Sequence, residues 1–130
     1  MTTHAAFVEY KDEKDLHRRF AIPFGMGERR YVDVYIWKSV RGLRRNTYFR
    51  HGDYLGAYVA NPYRTRRGMF GELHLVKRMI GAGYVAHEVQ HFLYDWLLEQ
   101  AQNGRTNERM AKLAGEITRR FWNEFLGEQK

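Results

Sequence analysis

His87-Glu88-Val89-Gln90-His91 constrains this chain more than any other stretch. Two histidines four positions apart lie one turn apart on the same helix face, so both imidazoles can reach one metal ion. Glu88, directly after the first histidine, can project toward a water beside that ion and act as a general base. The pattern works only on a helix, and the flanking residues supply one. Val85, Val89, Phe92, Leu93, Trp96 and Leu97 recur at three- and four-residue spacing and form a stripe for burial. His87, Glu88, His91 and Asp95 lie beside it. Asn103-Gly104 is expected to end the helix, because both residues tolerate the left-handed conformation.

A second helix is predicted beyond that turn, capped by Thr106 or Asn107 and carrying Met110, Leu113, Ala114, Ile117, Phe121, Trp122 and Phe125 at helical spacing. A short turn returns it antiparallel to the first. A catalytic zinc usually takes three protein ligands and leaves one position open. The chain has no cysteine, so donors must be His, Asp or Glu. Glu108, in the first turn of the returning helix, is the candidate third ligand, with Ala111 and Gly115 as small residues along its face that would permit close helix approach. Glu116 lies two turns deeper. Acidic residues are also favoured at helix starts by the macrodipole, an ordinary role for Glu108.

The remaining residues read as a small sheet. Arg30 to Val40 and Tyr54 to Ala60 are strands rich in β-branched and aromatic residues, the second stopped by Asn61-Pro62. Gly71 to Val76 is a third, short strand. Asp12 to Phe20 reads as a short helix, and Arg41 to Gly52 as a basic turn. Gly81 and Gly83 mark either a helix start or close packing on the sheet. The expectation is one α+β domain of three or four mainly antiparallel strands packed on the metal-bearing helix, with the last helix alongside. One core is what 130 residues can bury.

H-E-x-x-H followed by Asn107-Glu108-Arg109-Met110-Ala111 resembles the gluzincin class of zinc metallopeptidases, in which an N-E-x-x-[SA] segment gives the third ligand. The short separation is most similar to single-domain minimal gluzincins and to zincin-like domains of phages and mobile elements. The resemblance covers residues 71–125 and barely touches the first sixty. It implies one Zn2+ held by His87, His91 and Glu108, with Glu88 as general base for hydrolysis of a peptide bond. It also implies that the strand before the motif helix, 71–76, is the sheet edge that pairs with a protein or peptide substrate. Lys112 stands where thermolysin-like enzymes carry an acidic partner, so Asp95 is the candidate to orient a histidine. No histidine follows His91, which leaves Tyr94, Tyr84 or His74 as candidate oxyanion donors. His74, alone on a strand, is equally suited to a structural role.

Charge offers a second reading. The net charge is +7; residues 1–67 hold 14 of the 22 Lys/Arg and 7 of the 15 Asp/Glu, while residues 68–130 hold 8 of each. Arg44, Arg45, Arg64, Arg66 and Arg67, among other arginines, fall in inter-strand segments and could attract nucleic-acid phosphates. Tyr48, Phe49 and Tyr63 among them could stack on bases. The alternative function is therefore a zincin-fold nucleic-acid-associated or scaffold protein with a structural or vestigial metal site. No stretch is long and apolar enough for a membrane helix, and the N-terminus has no signal-peptide pattern. A cytoplasmic protein fits the lack of cysteine, and the resemblance implies one that is phage-encoded and acts in a host cytoplasm.

Overall fold

The computed structural model describes residues 11–24, 30–47, 55–61, 68–99 and 106–127. A single 3-10 turn, Glu13–Asp15, leads into strand β1, Leu16–Phe24. Strand β2, Arg30–Trp37, is followed by a short helix α1, Val40–Arg45. Strands β3, Gly56–Ala60, and β4, Met69–Val76, precede a second 3-10 turn and the long helices α2, Ala82–Glu99, and α3, Thr106–Gly127. The architecture is α+β, as the residue pattern predicts, with four strands in a mixed sheet.

The sheet order is β1-β2-β4-β3. β1 runs antiparallel to β2, β2 parallel to β4, and β4 antiparallel to β3. β4 is thus an interior strand, hydrogen-bonded on both sides. This corrects the expectation that 71–76 is the edge available to a substrate; β3 is the edge on that side. All eight residues of β4 are buried, the mark of a strand covered on both faces. Glu72 and His74 disguised that run in the sequence.

Two further expectations change. The Asp12 to Phe20 segment is largely strand, because Phe20, Ile22 and Phe24 alternate onto one face and pair with Val34, Val32 and Arg30 across the hairpin. The polar His17-Arg18-Arg19 run hid that alternation. The basic turn after residue 40 begins as α1, because Ser39 Oγ accepts the Gly42 N–H at 3.2 Å as an N-cap. Arg44 and Arg45 in its last turn suit the helix dipole.

One face of the sheet carries the main core. Ile22, Phe24, Val32, Val34, Leu73 and Leu75 meet Val85, Val89, Phe92 and Trp96 of α2 and Leu113, Ile117 and Phe121 of α3. Burying each such side chain contributes roughly 1.5–3 kcal/mol. Phe70 joins them because the β2–β4 register skips from Met69 to Gly71, making Phe70 an extra, bulged residue. Its ring packs edge-on against Phe24 and Phe92, at 5.6 and 5.5 Å between centroids. The other face carries Tyr35, Trp37 and Val76, covered by Leu43 of α1.

Candidate metal centre

The stripe that buries α2 also divides its polar residues. Val85, Val89 and Phe92 point into the core, which turns His87 and His91 outward and leaves Glu88 on the flank toward β3. His87 is 69 % exposed and His91 is exposed too; their rings stand edge-to-face, 5.0 Å apart. Burial, and then the neighbouring His87, hold the His91 imidazole below its ordinary pKa, which favours the neutral form that ligates metal.

Glu88 is the unusual group. It is only 5 % exposed, and burial pushes its carboxyl above the ordinary carboxylate range, against a smaller opposing effect of His87. His87 Nε2 lies 3.9 Å from Glu88 Oε2. Gly56, the first residue of β3, makes room for it: a Cβ there would lie 2.9 Å from Glu88 Oε2 and 3.0 Å from the Tyr84 hydroxyl. Gly56 was not singled out from the sequence. An isolated glycine inside a strand pattern is the signal that could have found it, since it marks close approach.

Tyr84 fastens this corner. Its hydroxyl donates to the Leu55 carbonyl and accepts from the Val76 N–H at 2.9 Å, so it ties the start of α2 to β3 and the end of β4. Burial raises its pKa to about 12, and the Val76 bond does not offset this. Lower down the helix, Asp95 accepts from the Tyr58 hydroxyl at 2.7 Å, a second tie from α2 to β3. The Tyr58 ring lies over Gly71, whose added Cβ would sit 2.1 Å from the hydroxyl oxygen.

The other candidates divide. Tyr94, 55 % exposed, shares the outward face with the histidines. His74 lies on the opposite face of the sheet, fully buried and stacked on Tyr35 and Trp37 at 4.9 and 6.0 Å. Trp37 Nε1 can only donate, so His74 Nδ1 accepts at 2.9 Å and its proton sits on Nε2, facing Glu72 Oε1 at 2.9 Å. Lys11 Nζ reaches the same carboxylate at 3.1 Å. Burial lowers the His74 pKa despite Glu72, in keeping with a neutral structural ring. His74 is therefore remote from the histidine pair, a correction to its candidacy as an oxyanion donor.

Glu108 lies on the solvent side of α3. Its side chain is 71 % exposed, with Lys112 Nζ 3.9 Å from Oε1. Ala111 and Gly115, expected to admit close helix approach, are exposed, and a Cβ on Gly115 would meet nothing. α3 instead packs through Leu113, Ile117 and Phe121. The histidine pair thus stands one helical turn apart and faces solvent, while no three His, Asp or Glu among the described residues come together as a metal-holding group. Gly81 and Gly83 mark a helix start, with open space around both. Arg44 and Arg45 lie on α1; Tyr48, Phe49, Tyr63, Arg64, Arg66, Arg67 and the Asn103-Gly104 turn lie outside the described residues. Among the described residues no helix is long and apolar enough to cross a membrane.

No protein family, no curated protein and no solved structure matches the chain.

Proposed function

We propose that the chain is a zinc-dependent metallopeptidase in which His87 and His91 hold the ion and Glu88 is the general base; Glu108, the third ligand that the residue pattern offers, stands on the solvent side of α3 and is not gathered with the histidines. The observation that supports it is the Glu88 carboxylate: buried, raised in pKa, next in sequence to one of two outward-facing histidines, and accommodated by a glycine on the edge strand. An ordinary surface glutamate on a helix has no reason to be so placed. A bound zinc ion supplies Lewis acidity, polarising a carbonyl and acidifying water.

The protein's own residues would do the rest. Glu88, with its proton affinity moved toward neutrality by burial, takes a proton from the attacking water and returns it to the leaving amine. Gly56 and Tyr84 fix the wall against which that carboxylate rests. Tyr94 is the hydroxyl on the histidine face able to donate to a developing oxyanion, since the Tyr84 hydroxyl is already engaged. An extended peptide would add to β3, the edge strand beside Glu88, rather than to β4. We place this activity in a cytoplasm, and the likeness to phage zincin-like domains makes a host cytoplasm the setting to test first.

The test is cleavage of a proteome-derived peptide library by zinc-loaded protein. Wild type is expected to cut, and Glu88→Gln and chelator-treated wild type are not. Identical peptide patterns for wild type and Glu88→Gln would end the peptidase reading. Loss of zinc affinity in Glu108→Gln would support the third ligand; unchanged affinity would move that role to another residue.

A further inference from the structure

A recess of about 280 Å³ between the 13–15 turn and α1 has no part in the hydrolytic reading. Lys14, Arg41 and Arg45 line it, with Asp15 as one acidic wall. Its two sides come from separate segments that are stapled together. Buried Asn46 accepts the Asp12 N–H at 2.6 Å through Oδ1, and its Nδ2 donates to the carbonyls of Asp12, at 3.2 Å, and Gly42, at 2.8 Å. Ser39 Oγ donates to Asp15 Oδ2 at 2.6 Å. A Cβ on Gly42 would lie 2.7 Å from Asp15 Cβ, so a glycine is what lets the turn approach α1 so closely.

These bonds hold Lys14, Arg41 and Arg45 around one recess together with Asp15. Arg45 pairs with Asp12 at 3.1 Å, but both are about half exposed, and such a pair contributes little. Lys14 and Arg41 are exposed and form no ion pair among the described residues. Asp15, the acidic wall, is hydrogen-bonded to Ser39. The net charge of +7 falls in residues 1–67, the part of the chain that supplies the recess.

We propose that this recess seats a backbone phosphate of a nucleic-acid strand, with the Arg41 guanidinium as a planar donor fork and Lys14 as a point charge. Lys38, exposed and joined to the same turn by its N–H to the Asp15 carbonyl at 2.8 Å, adds a further cation near the recess, which favours a polymer over a single small phosphate. The site is independent of the metal centre.

Fluorescence anisotropy of a short labelled single-stranded oligodeoxynucleotide tests it, across a salt series and with thermal melts to verify folding. Wild type is expected to bind with a steep salt dependence. Lys14→Ala and Arg41→Ala should each lower the slope of log K against log salt by about 0.7. Gly42→Ala should weaken binding several-fold with no change in charge, because it forces the turn off α1. Ser39→Ala, which loosens the same staple without adding bulk, should act in the same direction if Gly42→Ala fails to fold. Arg119→Ala, an exposed cation on α3, should change nothing. Equal losses from Arg119→Ala and Arg41→Ala, or folded staple variants that bind like wild type, would show diffuse charge and overturn the site. Inorganic phosphate displacing the oligonucleotide at comparable concentration would overturn the polymer in favour of a small phosphorylated ligand.

Discussion

Replacing Glu88 by glutamine removes a charge while keeping the shape of the side chain, and so isolates what burial of that charge costs. Glu88 is 5 % exposed, and the basic group beside its carboxyl among the described residues is His87, whose Nε2 lies 3.9 Å away on a ring 69 % exposed to water. A charged group buried with so little compensation costs about 1–3 kcal/mol or more, and a glutamine amide in the same place still loses part of that. We expect a net gain of about 1–2 kcal/mol for Glu88→Gln at pH 8 in the presence of chelator. For a chain of this size that raises Tm by roughly 4–10 °C. The pH dependence has a definite sign. A carboxyl whose folded pKa lies above its unfolded value stabilises the fold fully below the unfolded value and loses that contribution as pH rises through the folded one. The advantage of the glutamine variant should therefore open above the ordinary value of 4.5 and close beneath it. Thermal denaturation of both proteins at several pH values reads this directly. A glutamine variant that is less stable at pH 8, or a gap that does not change with pH, would refute the reasoning that the carboxylate is desolvated.

Gly56→Ala should cost about 1–3 kcal/mol, because its Cβ would lie 2.9 Å from Glu88 Oε2 and 3.0 Å from a Tyr84 hydroxyl that two hydrogen bonds hold in place, so the Glu88 carboxylate must give way. Peptidase activity should fall at least tenfold, equivalent to about 1.4 kcal/mol in the barrier, because the carboxylate is pushed aside; assays of cleavage and melting on the same sample separate the two. Tyr58→Phe removes the 2.7 Å bond to Asp95 and should destabilise by about 1 kcal/mol in urea unfolding. Gly71→Ala should cost more than that, since its Cβ would lie 2.4 Å from Tyr58 Cζ, within a ring rather than at a flexible tip. His74, a base held below its ordinary pKa by burial, contributes stability that is present above 6.5 and lost as pH falls through its folded pKa. Its replacement by asparagine should flatten the stability profile on the acid side of neutrality, as chemical denaturation at stepped pH would show.

The helices and the histidine pair were legible because their signals are local. Apolar spacing through Val85 to Leu97 and Leu113 to Phe125 fixes both helices, and the i, i+4 histidines follow once α2 is a helix. Strand order was not legible. The insertion of β4 between β2 and β3 depends on a parallel pairing between residues far apart in the chain, and no single strand carries that information. Glu72 and His74 made β4 look half-polar, although Lys11, Trp37 and each other satisfy those side chains in the interior. β1 was hidden by His17-Arg18-Arg19, where Arg19 pairs with buried Asp33 at 2.9 Å and Arg18 with Glu124 at 2.7 Å. The face of α3 was misread for a related reason. Small residues at 111 and 115 suggested a tight helix contact, but the larger stripe of Leu113, Ile117 and Phe121 had more apolar area to bury and took the interface. That choice turned Glu108 to solvent.

Zinc titration of the metal-free full chain by isothermal calorimetry, repeated with His87→Ala and His91→Ala, bears most directly on the histidine pair as a metal site. One equivalent of zinc bound by wild type, with affinity lost in both variants while their melting temperatures stay close to wild type, is the expected result. Weak binding that survives removal of either imidazole would contradict it, and with it the role given to Glu88.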